Sequence, residues 1–173
     1  MSGSTRFEGF PMMISEGDWK TMAAFIDGEG CIRIQRQEPG SRGASHRAKS
    51  PRHDLIIVIG NTDPRLALWC KERFGGSLYL RETSKRNDKH RDAYVWHATQ
   101  KRAESILHGC LPHFLLKKEQ AQIALAFCAV AWTQLGGDQL PQSIIDQRDE
   151  LKHRLETEKV RKFAVIDGFK KTA

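Results

Sequence analysis

Two acids carry the first chemical question in this sequence. Asp27 and Glu29 stand in "MAAFIDGEG", residues 22 to 30, separated and followed by Gly28 and Gly30. What precedes them is apolar and helix-forming, so both carboxylates fall at a helix C-terminus, where the peptide dipole favours Lys, Arg or His instead. The usual preference is reversed. Carboxylates are hard oxygen donors of the kind Mg²⁺ takes while keeping several of its waters. The same two acids on a plain amphipathic helix would simply be solvated.

The elements that position these acids follow from pattern. Ser15 or Asp18 caps a helix through "WKTMAAFID" that stops at Gly28 and Gly30. "CIRIQRQ" alternates as a strand with one buried face, Ile32 and Ile34 pointing one way and Arg33, Gln35 and Gln37 the other. "EPGSRGASHRAKSPRH" reads as a mobile loop rich in Gly, Ser, Pro and basic residues. "DLIIVIGN" is a second strand, too uniformly apolar for parity to assign its faces. "NTDPRLALWCKERFGG" predicts a helix capped by Thr62 or Asp63, with Pro64 in its first turn, a stripe of Leu66, Trp69, Cys70 and Phe74, and Gly75 at its end.

"SLYLRET" and "AYVWHAT" alternate again. Leu78, Leu80, Tyr94 and Trp96 make the expected buried set, leaving Ser77, Tyr79, Arg81, Val95 and His97 on the other side. Between these strands "SKRNDKHR" places basic residues, Lys85 and Arg86 among them, at a hairpin tip. Helices are then predicted in "QKRAESILHGC", in "LLKKEQAQIALAFCAVAWTQLG" and in "PQSIIDQRDELKHRLETEKVRK". The order αββαββα, followed by further helices, implies an α+β architecture in which a curved four-stranded antiparallel sheet carries helices on one face. The basic and amide side chains gather on its open face. Such a face is wide enough to lie along a DNA major groove, where Arg and Gln read base edges.

Composition narrows the function classes. The chain has 173 residues, 28 Lys and Arg against 21 Asp and Glu, and a net charge of +7, which favours a polyanionic partner. No apolar run approaches a membrane span and the N-terminus lacks a secretory or transit pattern, so the expectation is an intracellular protein of a bacterial cytoplasm or an organelle. Residues 1–173 suit one domain, with a core over about 15–135 and a helical extension over about 136–173. Cys31, Cys70, Cys110 and Cys128 lack metal or redox spacing and read as reduced thiols. Seven histidines, including His108 and His113, form no zinc pattern, and Trp69, Trp96 and Trp132 read as core, with Trp19 a staple on the first helix.

"MAAFIDGEG" resembles the signature helix of the LAGLIDADG homing endonucleases, Met22 to Gly30 filling its places in order, and the αββαββα order extends the resemblance over roughly residues 15–135. The resemblance implies a site-specific endonuclease making Mg²⁺-dependent double-strand breaks in a long pseudopalindromic DNA, encoded in a mobile intron or intein. Mn²⁺ could replace Mg²⁺, and Ca²⁺ would occupy a non-cleaving complex. Glu29, with Gly28 beside it, would hold the metal against scissile phosphates, and a bound cation would remove the conflict with the helix dipole. One motif implies a homodimer whose seam is built on Ala23, Ala24 and Asp27. "FAVIDGFKK" at residues 163–171 lacks the closing acid, and its Asp167 reads as surface.

Further site residues follow from matching positions. Asn61 and Arg65 have the spacing of an active-site pair, although a turn residue and a first-turn surface residue would look the same. In "PHFLLKKEQAQ", Lys117 matches a lysine that organises solvent about the nucleophilic water, with Lys118 its competitor. Arg33, Gln35, Gln37, Tyr79, Arg81 and His97 are the expected groove contacts, Arg42, Arg47 and Lys49 the expected phosphate contacts, and Lys85 and Arg86 further expected DNA-binding residues. Neither a membrane nor a small-molecule substrate is expected. The rival reading is a non-cleaving nucleic-acid binder of the same fold, a maturase or a repressor.

Overall fold

The computed structural model describes residues 13–41, 49–82, 91–131 and 139–164. Its first helix, α1 (Glu16–Glu29), opens on a reciprocal cap. The Ser15 hydroxyl accepts the Asp18 N–H, and the Asp18 carboxylate accepts both the N–H and the hydroxyl of Ser15, at 2.9 and 2.7 Å. Both candidate caps are therefore used. The helix runs through Gly28 and ends at Glu29, after which Gly30 turns directly into a strand. A Cβ on Gly30 would stand 2.7 Å from the Ile26 Cα, so only glycine lets the chain fold back so sharply.

Strands β1 (Gly30–Gln37), β2 (Arg52–Asn61), β3 (Ser77–Arg81) and β4 (Ala93–Thr99) form one antiparallel sheet in the order β1-β2-β4-β3. The helices are α2 (Pro64–Phe74), α3 (Gln100–Cys110), α4 (Lys118–Ala131) and α5 (Gln142–Ala164), with a 3-10 turn at Leu111–His113. The α+β class and element order follow the sequence expectation. On the covered face Ile32, Ile34, Leu55, Ile57, Ile59 and Trp96 pack against Met22, Ile26, Phe74, Leu107 and Phe127 from the helices. Leu151 and Leu155 of α5 join the same core. Burying each such side chain contributes about 1.5–3 kcal/mol. No helix among the described residues is long and apolar enough to cross a membrane.

Several placements differ from the pattern-based ones. β2 starts at Arg52, inside the stretch read as a loop, and register now assigns its faces: Leu55, Ile57 and Ile59 go to the core, Asp54, Ile56 and Val58 to the open side. In α2 the buried side chains are Ala67, Cys70 and Phe74, while Leu66 and Trp69 are only partly covered, Trp69 standing edge-on to Phe25 of α1 with ring centroids 5.6 Å apart. Leu80, expected inside, is 46% exposed because β3 is an edge strand. Trp19 is core, not a staple, packed on Phe74 and on Gly109, where a Cβ would collide at 2.5 Å. The long helix begins at Lys118 and not at Leu115. Trp132 and Asp167 lie outside the described residues.

Candidate functional site

The last turn of α1 meets the segment before α4. Asp27 accepts the backbone N–H groups of Leu115 and Leu116 on Oδ2, at 2.8 and 3.2 Å, and that of Lys117 on Oδ1 at 2.9 Å. Lys117 answers from the other side. Its Nζ donates to the carbonyls of Ile26, Asp27 and Gly30 at 2.6, 2.9 and 2.7 Å. The carboxylate thus satisfies the unpaired amides entering α4, and the ammonium supplies the cation that the C-terminus of α1 lacks in its own sequence. Within one chain Lys117 is thus a clamp on three carbonyl oxygens, and Asp27, an expected seam residue, accepts from three amides of its own chain.

Ala23 is also turned inward and fully buried, so of the three expected seam residues only Ala24 is exposed. The outward face of α1 is instead Gly17, Thr21, Ala24 and Gly28, small side chains at spacings of three and four. A Cβ on Gly28 would meet nothing within 4 Å.

Glu29, two residues beyond Asp27, is exposed. Lys117 takes the carbonyls of Asp27 and Gly30, on both sides of it. One carboxylate and one backbone carbonyl are hard oxygen donors that suit a Mg²⁺ ion drawing its remaining ligands from water and phosphate. Among the described residues no three His, Cys, Asp or Glu side chains gather into a complete metal cage. The donors at Glu29 are of the hard-oxygen kind that a divalent cation takes.

Asn61 and Arg65 sit where β2 passes into α2. Gly30 stands opposite Ile59, which puts Asn61 at the same end of the β1–β2 pair as Glu29. The Asn61 Oδ1 accepts the Asp63 N–H at 2.9 Å, and Asp63 caps α2 by accepting the Arg65 N–H at 2.9 Å. The exposed Arg65 guanidinium closes on the Asp63 carboxylate, its Nε lying 3.0 Å from each oxygen. That hydrogen-bonded pair lowers the Asp63 carboxyl from 3.8 to about 2 and raises Arg65. Beside it a cleft of about 470 Å³ runs between α1 and α2, with Thr21, Phe25, Leu66 and Trp69 completing its walls. Asn61 behaves here as a turn residue. Arg65 is a surface side chain held by its neighbour.

The open face of the sheet carries Arg33, Gln35, Gln37, Tyr79, Arg81 and His97, the first of these exposed and the Gln and His side chains half-buried. Val95 shares this face in the ladder, between Gly60 and Tyr79, but is only 2% exposed. The Tyr79 and His97 rings meet edge-on at 5.7 Å. Burial, with the Arg33 charge adding to it, lowers the His97 pKa from its ordinary value and disfavours the charged imidazole. Lys49 is exposed, whereas Arg42, Arg47, Lys85 and Arg86 lie outside the described residues. Sequence reasoning missed Arg52, Asp54 and Gln100 on this face. Arg52 was hidden in an apparent loop, and Asp54 in a strand whose parity was illegible.

The cysteines divide by depth. Burial pushes the Cys70 thiol up to about 12 and raises Cys110 also, so both are inert, while Cys31 is exposed.

Neither a protein-family model nor a curated protein matches this sequence. Solved structures do. The homing endonuclease I-CvuI, in complex with its target in the presence of Ca, superposes with a TM-score of 0.62 at 17% identity, over 83% of this chain and 82% of that one. The archaeal intron-encoded homing endonuclease I-Vdi141I, complexed with DNA, gives 0.62 at 15% identity, over 83% and 84%. The chain has the LAGLIDADG homing-endonuclease fold. A further LAGLIDADG homing endonuclease, I-GzeII in complex with its DNA target, is matched at a TM-score of 0.56 and 15% identity over 80% of this chain but 44% of that one. At these identities the likeness is one of backbone arrangement. Within the LAGLIDADG fold, α1 is the helix that carries "MAAFIDGEG".

Proposed function

We propose that this chain is a single-motif LAGLIDADG homing endonuclease, a homodimer that makes metal-dependent double-strand breaks in a long pseudopalindromic DNA and is encoded in a mobile intron or intein. The observation that carries the reading is the exposed Glu29 at the end of a clamped helix, beside a sheet face lined with Arg, Gln and Tyr side chains. The I-CvuI and I-Vdi141I structures of the same fold are complexes with DNA. A bound Mg²⁺ would polarise the scissile phosphate and lower the pKa of the attacking water. Glu29 and the Gly28 carbonyl would hold it. Lys117 fixes the backbone around Glu29, Asn61 shapes the turn beside it, and Arg65, once released from Asp63, would meet phosphate charge.

Two protomers would bring two Glu29 carboxylates to the duplex, one for each strand. The free face of α1, made of Gly17, Thr21, Ala24 and Gly28, is narrow enough for a second helix to approach backbone to backbone. Leu115 and Leu116, 89% and 60% exposed, flank it with apolar surface that a partner would cover. Ala24→Arg should leave the fold intact and yield a monomer in sedimentation; a dimer persisting in that variant refutes the seam.

The rival, a non-cleaving binder, uses the same open face. Incubating the protein with a supercoiled plasmid library and Mg²⁺ separates the two. Discrete double-strand cuts support the nuclease, and salt-dependent binding without cuts supports the rival.

A further inference from the structure

Among the described residues, the open face of the sheet holds one acid within its strands. Asp54 stands beside Gln35 in the β1–β2 register, and Arg52 beside Gln37, so all four project on the side away from the helices. Arg52 Nε donates to Asp54 Oδ1 at 2.7 Å, and the Gln100 side-chain amide donates to the same oxygen. The exposures are unequal: the Arg52 side chain keeps 63% of its surface, the Asp54 side chain 9%. A pair placed on a surface for stability gains little. A carboxylate this well covered on an otherwise open face does something else, and it holds its arginine still.

Gln100 belongs to the same cluster. It enters α3 with φ 54, the only non-glycine residue at positive φ among those described, and its Oε1 is buried without a partner. Residues in that strained region persist where the surroundings over-determine them, commonly at sites that recognise a ligand. Its amide is spent on Asp54.

We propose that Arg52, held by the covered carboxylate of Asp54, reads a guanine in each half of the DNA target, an inference that rests on the endonuclease reading above. With Nε engaged, the two terminal nitrogens of Arg52 have no partner among the described residues. They form the fork that matches guanine O6 and N7 in the major groove. A phosphate contact would need no such orientation, and a neighbouring carboxylate would weaken it by repelling the backbone. Asp54 is too covered to accept from cytosine itself. It is a positioning residue, and Arg52 is the reader.

The test is selection of bound duplexes from a randomised library in Ca²⁺, which permits binding without cutting, using the wild-type dimer, Arg52→Ala and Asp54→Asn. The wild type should recover a fixed guanine in each half-site. Arg52→Ala should lose the preference at that position by about tenfold or more while the other positions stay as selected. Asp54→Asn should lower the same guanine preference with little change in overall affinity, which a merely structural role would not do. Replacing that guanine by 7-deazaguanine, which lacks N7, should weaken the wild type and leave Arg52→Ala unaffected. If Arg52→Ala selects the wild-type sequence, or binds every sequence uniformly more weakly, the inference is overturned. A wild type that recovers no sequence at all overturns the endonuclease reading itself, a result distinct from either.

Discussion

At the end of α1, Lys117 reaches three carbonyls and Asp27 three amides, so an acid and a base lock two helices together, each side chain bonded to the other's backbone. At the start of α2, Arg65 and Asp63 face each other in solvent and lock only themselves. Both regions contain a basic residue assigned to catalysis by position. Their surroundings separate them. Lys117 cannot leave its place without exposing the carbonyl end of α1, whereas Arg65 can exchange one anion for another at little cost, because an exposed pair is worth little. Glu29 is exposed beside the first region, and its position is only as stable as that clamp.

The sharpest break in the comparison is at Glu29. Glu29→Gln should reduce double-strand cutting by at least about a thousandfold, with unfolding free energy changed by no more than about 0.5 kcal/mol. Plasmid cleavage in Mg²⁺ and urea unfolding measure the two, and cutting that survives removes Glu29 from its assigned role. Lys117→Met comes next. Three carbonyls lose their cation together, so stability should fall by about 3 kcal/mol and cutting should fall with it. A variant that unfolds at the wild-type urea concentration but no longer cuts would favour the solvent-organising role and overturn the clamp.

Asp27→Asn keeps the shape and removes the charge from the amides of residues 115–117, an expected loss of about 1–2 kcal/mol by the same unfolding measurement. Asp63→Asn should give the smallest effect. It frees Arg65 for phosphate, and the logarithmic salt slope of DNA binding should steepen by about one. The Asp63 pair is also readable by pH. A carboxyl lowered from 3.8 to about 2 by folding takes up protons in the unfolded chain first. Its contribution is therefore whole above 3.8 and disappears as pH falls through about 2, a decline that Asp63→Asn should lack.

Much of the architecture was legible because its signals are local. The Ser15–Asp18 cap, the Asp63-Pro64 opening and Gly75 closing of α2, and the alternation of Ile32 and Ile34 with Arg33 and Gln35 all lie within one turn or one strand. β2 was illegible because residues 55–59 are apolar throughout, and only pairing with β1 and β4 tells inside from outside. Leu80 misled because alternation shows which face a residue takes, not whether a helix reaches far enough to cover it. Ala23 and Ala24 are adjacent small residues, and nothing in their letters says which one turns inward.

The site divides along the same line. Composition and "MAAFIDGEG" by themselves determined that an acid would end the first helix beside a basic sheet, since both are properties of short segments. What offsets the reversed charge on that helix was decided by tertiary structure alone. The cation is Lys117, about ninety residues along the chain, and it is brought there because α1 and the turn before α4 share a core. A helix dipole acts through space, so its compensation is written wherever the fold places a charge, not where the helix ends in sequence.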